Sequence, residues 1–277
     1  MIKGYVNKIL PFSSVDGPGN RTVIFLQGCN FDCLYCHNPE TINYCINCGI
    51  CVYECPYDAL TIVDNKVVWN EKCCKNCDLC IKVCPNLSSP KVKLMTVDEV
   101  MDFIKKVKPF ISGITISGGE CTLQYNFVIE IFRKTKAMGL TTFLDSNGYI
   151  PLNKLGLLVE NMDMAMIDLK SFDRDEHLKL TGKDNQTVIE NIKYLAEINK
   201  LYEVRTVIMP CVLDNYYNVD NISKLIASLN PNIRYKIIKY RPIGVRKGVC
   251  SFMPDDKLMK KLFNLASRNG CKNVILV

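Results

Sequence analysis

The chain has 277 residues, 48% of them hydrophobic and 23% charged, a balance that excludes a disordered polypeptide and allows one large domain with an insertion or two smaller ones. No apolar run approaches the roughly 20 residues of a membrane span, and the start, MIKGYVNKIL, shows neither an h-region nor a small-residue cleavage site, so a cytoplasmic protein without a membrane partner is expected. A net charge of +7 invites a nucleic-acid partner, but that figure counts all 16 cysteines as neutral.

In chain order, the first strong element is RTVIFLQ, a continuous apolar strand running into QGCNFDCLYCHNPE. Cys29, Cys33 and Cys36 in that loop have no nearby fourth cysteine that another run does not claim. Such a triad can hold three irons of a cubane and leave the fourth open, as catalytic metal sites keep one position free.

Two further runs follow. Cys45, Cys48, Cys51 and Cys55-Pro56 read C-x2-C-x2-C-x3-C-P, and Cys74, Cys77, Cys80 and Cys84-Pro85 repeat the run. In the bacterial two-cluster arrangement the fourth cysteine of each run crosses to the other cluster. One [4Fe-4S] cluster is therefore assigned to Cys45, Cys48, Cys51 and Cys84, and another to Cys74, Cys77, Cys80 and Cys55. Four cysteines also suit zinc, but zinc sites rarely place four thiolates in so compact a run, twice over. With eleven ligand thiolates on three such cores the net charge falls to about +2, and the argument for nucleic acid goes with it. Between the runs, ALTIVDNKVVW alternates about Asp64-Asn65 as a hairpin would. Residues 41–90 thus form an inserted domain, and 1–40 with 91–277 form the host.

Thr96 and Glu99 then make a capping box ahead of VDEVMDFIKKV. Apolar runs next alternate with helical patterns: ISGITIS, YNFVIEIFRKTKAMG, LTTFLDS, MDMAMIDLK, TVIENIKYLAEIN, YEVRTVIM, NISKLIASL, IRYKIIKY, DDKLMKKLFNLASRNG and KNVILV. Alternation of this kind predicts a parallel sheet with right-handed crossovers, whose working residues gather at the C-terminal ends of strands. Those ends carry Ser117-Gly118-Gly119-Glu120, then Asp145-Ser146-Asn147-Gly148, then Met166, Asp168 and Lys170. Paired glycines let a backbone approach a ligand closely, and alternation puts Asp168 and Lys170 on one side of their strand.

The triad C-x3-C-x2-C resembles the signature of the radical S-adenosylmethionine (SAM) superfamily. SVDGPGNRTVIFLQGCNFDCLYCHNP, from Ser14 to Pro39, resembles the N-terminal signature of glycyl-radical enzyme activating enzymes, in the branch with a two-cluster ferredoxin-like insertion. The resemblance implies a partial (βα)6 barrel of radical SAM type with an inserted bacterial-ferredoxin-like α+β domain. It implies that the triad cluster and SAM are cofactors, with Tyr35 near the adenine and Ser117, Gly118, Gly119 and Glu120 at the methionine amino group. Asp145, Ser146, Asp168 and the Met166 carbonyl map onto a site for a monovalent cation, Na+ or K+, that also touches the cofactor carboxylate. Lys170, Arg205 and Arg241 map onto cofactor contacts, and Asp16 and Arg21 are candidates for orienting the partner's glycine loop.

Departures from that pattern are Cys121 for a common proline, Ser146 for threonine, Val212 without the usual glycine before it, and Ile238-Lys239-Tyr240-Arg241 where L-P-Y-H is common. The implied activity is reductive cleavage of SAM to methionine and a 5'-deoxyadenosyl radical, which takes a hydrogen atom from a glycine Cα of a glycyl-radical enzyme. A flavodoxin or ferredoxin is the implied electron donor, and a monomer is expected. The alternatives are a radical SAM enzyme acting on a small molecule or RNA base, and, in another class, a multi-cluster electron-transfer protein.

Overall fold

The computed structural model describes residues 2–245, 249 and 252–277, so Cys250 lies outside the described residues. The chain opens with β1 (Lys3–Ser13), which turns back antiparallel onto β2 (Arg21–Leu26). An excursion follows through α1 (Ile50–Tyr53), β3 (Leu60–Val63), β4 (Lys66–Trp69) and α2 (Leu79–Lys82), and β5 (Lys93–Thr96) returns antiparallel to β1. The remainder alternates: α3 (Val97–Val107), β6 (Gly113–Gly118), α4 (Tyr125–Ala137), β7 (Thr141–Ser146), α5 (Gly156–Asn161), β8 (Met164–Asp168), α6 (Arg174–Thr181), α7 (Gln186–Glu197), β9 (Leu201–Ile208), α8 (Asn215–Leu229), β10 (Arg234–Lys239), α9 (Asp256–Arg268) and β11 (Val274–Leu276). The main sheet runs β11-β10-β9-β8-β7-β6-β2-β1-β5, with every pair from β2 to β11 parallel. This is the α/β parallel-sheet architecture that the alternating pattern predicts.

The two faces of the sheet differ in chemistry. Ile24, Leu26, Ile114, Ile116, Leu144, Ile167, Val204 and Ile237 are fully buried in one apolar core with Ile104, Phe132, Ile192, Ile222 and Leu262 of the helices. The opposite face is polar and curls on itself. The Arg21 guanidinium stacks 4.1 Å from the Phe143 ring centroid, Phe143 meets Tyr202 at 5.2 Å, and Lys236 Nζ reaches across to the Val15 carbonyl at 3.4 Å.

Thr96 and Glu99 form the expected capping box on α3, and the β3–β4 hairpin turns at Asp64 and Asn65, both with positive φ. The sequence does not announce β1, because its inward position Gly4 leaves its space to the Phe127 ring of α4, so an inward position reads as a break. Helix α8 starts earlier than the apolar pattern suggests. Its first turn is capped by Asp214, which accepts from Tyr217 N–H at 3.0 Å, and buries the polar Asn215 and Asn218. The excursion has its own small core of Cys51, Leu60 and Cys80 with Val52, Val67, Trp69 and Ile81 packed on it.

Candidate active site

A cavity of about 330 Å³ opens at the C-terminal ends of β2, β6, β7, β8 and β9. Its lining brings together Cys29, Cys33, Cys36, Tyr35, Ser117, Gly118, Gly119, Asp145, Ser146, Asp168, Lys170, Arg205 and Asp16. The cysteine loop is anchored on both sides: Cys29 N–H donates to Ile42 O at 2.9 Å, and Leu34 N–H donates to Leu180 O at 2.9 Å. Gly118 and Gly119 are required for a reason beyond ligand access, since a Cβ on either would strike the main chain of Leu26 or Gly28. Glu120 N–H then donates to Gly28 O at 2.7 Å, tying the β6 loop to the base of the cysteine loop.

Burial pushes the Cys29 thiol up to about 12 and the Cys33 thiol up to about 11. Thiolate ligands must be deprotonated, so these positions suit a strongly cationic core and are poor places for free thiolates. Among the described residues no three Cys, His, Asp or Glu side chains converge tightly enough to hold one metal ion. Cysteines spread around a space fit a multi-iron core, whose thiolates sit on separate irons, better than they fit zinc.

The opposite wall is an ion-pair network. Lys170 Nζ lies 2.6 Å from Asp168 Oδ2 and 5.7 Å from the Tyr35 ring centroid. Arg205 donates from Nη1 to Asp145 Oδ1 at 2.9 Å and from Nε to Glu203 Oε1 at 2.6 Å, and Ser117 Oγ donates to Asp145 Oδ2 at 2.9 Å. Burial raises the Asp145 carboxyl against the pull of Arg205, whereas Asp168, despite its burial, is held below its ordinary value by Lys170 and then Arg205. Burial works against the charged form of Lys170, yet Asp168 more than offsets it and the ammonium is held well above its ordinary range. The carboxylates in the expected cation set thus already carry a protein cation each. Tyr35 packs with Leu180, Met209, Leu213 and Tyr240, and its buried hydroxyl has no hydrogen-bond partner among the described residues.

Three of the expected site residues lie off the cavity lining. Glu120 is only 1% exposed and does not line the cavity. Its carboxylate accepts from Thr122 N–H and Oγ, Ser146 Oγ and Asn147 N–H, so it clamps the β6 loop to the β7 loop. Arg241 is exposed and outside the lining; its carbonyl oxygen lies 2.9 Å from His37 Nε2. Arg21 is 0% exposed and its guanidinium donates to Thr115 Oγ1, Thr141 Oγ1 and the Ile114 and Thr141 carbonyls. It locks the starts of β2, β6 and β7 together, away from the cavity, while Asp16 does face the cavity.

Asn30 was not read as a site residue, and Asn147 was named at its strand end without a role. Asn147 Nδ2 donates to Asn30 Oδ1 at 2.8 Å and lies 3.9 Å from Cys29 Sγ. The only hint of this was the Asn-Gly pair ending the third apolar run. Cys121 is fully buried against the Asp145 carbonyl.

In the excursion the cysteines divide between two small cavities. Cys45, Cys48, Cys51 and Cys84 line one, with Ile46, Ile50, Val67 and Ser88. Cys55, Cys74, Cys77 and Cys80 line the other, with Leu60, Trp69 and Lys91. The two halves share a device: Asn47 N–H donates to Cys45 Sγ and Asn76 N–H to Cys74 Sγ, each at 3.4 Å. Cys73 is exposed and lines neither.

A parallel α/β sheet with a cysteine triad over a cavity at its C-terminal edge is the arrangement of a cluster-dependent enzyme. The profile of the radical SAM superfamily matches residues 23–219, and the chain belongs to that superfamily. It is 28% identical over 289 residues to the pyruvate formate-lyase-activating enzyme of Staphylococcus epidermidis, covering 98% of each chain. It is 27% identical over 295 residues to a putative glycyl-radical enzyme activating enzyme of Haemophilus influenzae, covering 98% of this chain and 96% of the other. Among solved structures, a domain of a pyruvate-formate lyase-activating enzyme from Bacteroides vulgatus aligns with TM-score 0.51 at 20% identity, over 60% of this chain and 99% of that one. QueE from Escherichia coli aligns with TM-score 0.55 at 11% identity, over 99% and 94%, which is a likeness of fold. The family implies a [4Fe-4S] cluster and SAM. Among the described residues no helix is long and apolar enough to cross a membrane.

Proposed function

We propose that this protein activates a glycyl-radical enzyme, and the observation that carries the proposal is the meeting of Cys29, Cys33 and Cys36 with Ser117, Gly118, Gly119, Asp145 and Lys170 around one cavity. When bound, the triad cluster would supply the electron that cleaves SAM to methionine and a 5'-deoxyadenosyl radical, which takes a hydrogen atom from the Cα of a partner's glycine. The chain's own residues do the rest. Cys29, Cys33 and Cys36 would hold the cluster and leave one iron to SAM. Lys170 would be the cation available to the cofactor's carboxylate, and the main chain of Gly118 and Gly119 would meet its amino group. Tyr35 offers an aromatic wall, and the packed Leu180, Met209 and Tyr240 behind it keep water from that side.

A monovalent cation among Asp145, Ser146, Asp168 and the Met166 carbonyl would compete with Lys170 for Asp168, freeing the ammonium to turn to the cofactor. Asp16, on the cavity lining, remains the candidate for meeting the glycine loop. The excursion, as the inserted domain of residues 41–90, would hold two more [4Fe-4S] clusters in its two cavities and pass electrons from a flavodoxin or ferredoxin. The test is anaerobic reconstitution followed by reaction with dithionite and SAM. About twelve irons per chain, 5'-deoxyadenosine as product, and loss of that product in Cys36→Ala with about eight irons retained are expected; cleavage undiminished in Cys36→Ala overturns the reading.

A further inference from the structure

The two cavities of the excursion are not alike. On β4, Val67 faces the Cys45 cavity and Trp69, the chain's sole tryptophan, faces the Cys74 cavity. The Trp69 indole nitrogen is buried, has no oxygen acceptor among the described residues, and approaches the Cys74 thiol as a hydrogen-bond donor. The counterpart wall of the Cys45 cavity is aliphatic, with Ile46, Ile50 and Val67. One main-chain donor is matched between the halves, Asn47 N–H to Cys45 Sγ and Asn76 N–H to Cys74 Sγ, so that pair does not distinguish them, while Ile81 N–H also donates toward Cys80. Lys91 also lines the Cys74 cavity, but Asp78 lies 2.7 Å from its ammonium and offsets its charge. Ser88 Oγ, buried and 3.4 Å from Cys84 Sγ, is the one side-chain hydroxyl in the Cys45 cavity's lining, so the contrast between the halves is a neutral hydroxyl against an indole N–H.

A buried N–H beside a ligand thiol is a donor placed for cluster sulfur, and a cluster carries sulfur acceptors whose charge grows on reduction. Hydrogen bonds to cluster sulfur are among the levers that set reduction potential, because they stabilise the more negative, reduced state. We propose that Trp69 is a positioning residue for electrons: its indole N–H donates to a sulfur of the cluster held by Cys55, Cys74, Cys77 and Cys80, and makes that cluster easier to reduce than the one held by Cys45, Cys48, Cys51 and Cys84. This rests on the proposal that the excursion binds two clusters. The Cys45 half adjoins the barrel through Tyr44, whose hydroxyl donates to Gln27 O at 3.1 Å. The Cys74 half adjoins the barrel as well, through Lys93 of β5, whose ammonium lies 5.2 Å from the Trp69 ring centroid. By the order of potentials, an electron entering the excursion settles first on the cluster beside Trp69.

The test uses the full chain with Cys29, Cys33 and Cys36 replaced by alanine, so that only the excursion clusters give paramagnetic signals. Redox poising followed by electron paramagnetic resonance is compared with the same chain carrying Trp69→Phe, which keeps a ring and removes the N–H. Two separate midpoints are expected. Trp69→Phe should lower the higher one by about tenfold in the one-electron reduction equilibrium, about 59 mV, and leave the lower one in place. Electron–nuclear double resonance in D2O should show an exchangeable proton coupled to the reduced cluster that Trp69→Phe abolishes. Iron near eight per chain with unmoved midpoints and no lost proton overturns this inference alone. Iron near zero in the excursion overturns the two-cluster reading and this inference with it.

Discussion

Lys170 Nζ sits 2.6 Å from Asp168 Oδ2 on the cavity wall, with only 14% and 27% of the two side chains exposed. The pair is therefore shielded from solvent yet open to a ligand, and a cofactor carboxylate would have to share the ammonium with Asp168. Lys170→Ala should weaken SAM binding by about tenfold to more than a hundredfold, since a charge-assisted hydrogen bond of this kind contributes roughly 1.5–3 kcal/mol. Isothermal titration under anaerobic conditions measures it. Unchanged affinity would return the pair to a purely structural ion pair at the rim.

Arg21 is the opposite case, a charge committed to the fold. Desolvation holds its guanidinium down to about 10, and it survives there because five neighbouring oxygens accept from it. Arg21→Met should cost about 2 kcal/mol or more, through the lost charge-assisted bonds and the acceptors left unpaired. Denaturant unfolding gives the loss. SAM cleavage per folded, cluster-loaded molecule should stay near that of the unaltered protein; a stable variant that fails to cleave would put Arg21 back among the site residues.

His177 makes a pH prediction. Its ring is fully buried against Phe31 at the cysteine loop, with Nδ1 2.7 Å from Lys183 O. Desolvation, and then the Lys170 charge, lower it below 6.5. The unfolded chain thus takes up a proton before the folded one does, so this histidine's contribution is intact above about pH 6.5 and is lost as pH falls through its folded value. Melting temperature followed from pH 8 downward should fall on the acid side, and His177→Asn should flatten that fall. An acid limb identical in both proteins would show that His177 does not carry it.

How much of this was legible beforehand differs by residue type. The cysteine runs name their partners by spacing, and both cavities of the excursion contain the sets that spacing suggests. The strand-end polar residues were legible because period-two alternation places Asp168 and Lys170 together. Direction within a loop was not. Glu120 follows two glycines exactly as a ligand-facing acid would, but the positive φ of Gly118 redirects the chain, and Ser146 and the Asn147 N–H capture the carboxylate. Arg21 read as a candidate for orienting the partner's glycine loop because an isolated arginine in a sequence gives no sign that threonines ninety and more residues later will surround it. The Asn147 contact to Asn30 spans a similar gap. Long-range polar capture is the part that periodicity does not encode.

The most direct test of the central claim is electron paramagnetic resonance of this protein, loaded with its clusters and mixed with SAM, reductant and a glycyl-radical enzyme from the same cell. The account predicts a doublet from a glycyl radical that collapses when the partner's glycine is α-deuterated, with deuterium recovered in 5'-deoxyadenosine. Vigorous SAM cleavage with no such doublet, and deuterium taken instead from a small molecule or an RNA base, would contradict it.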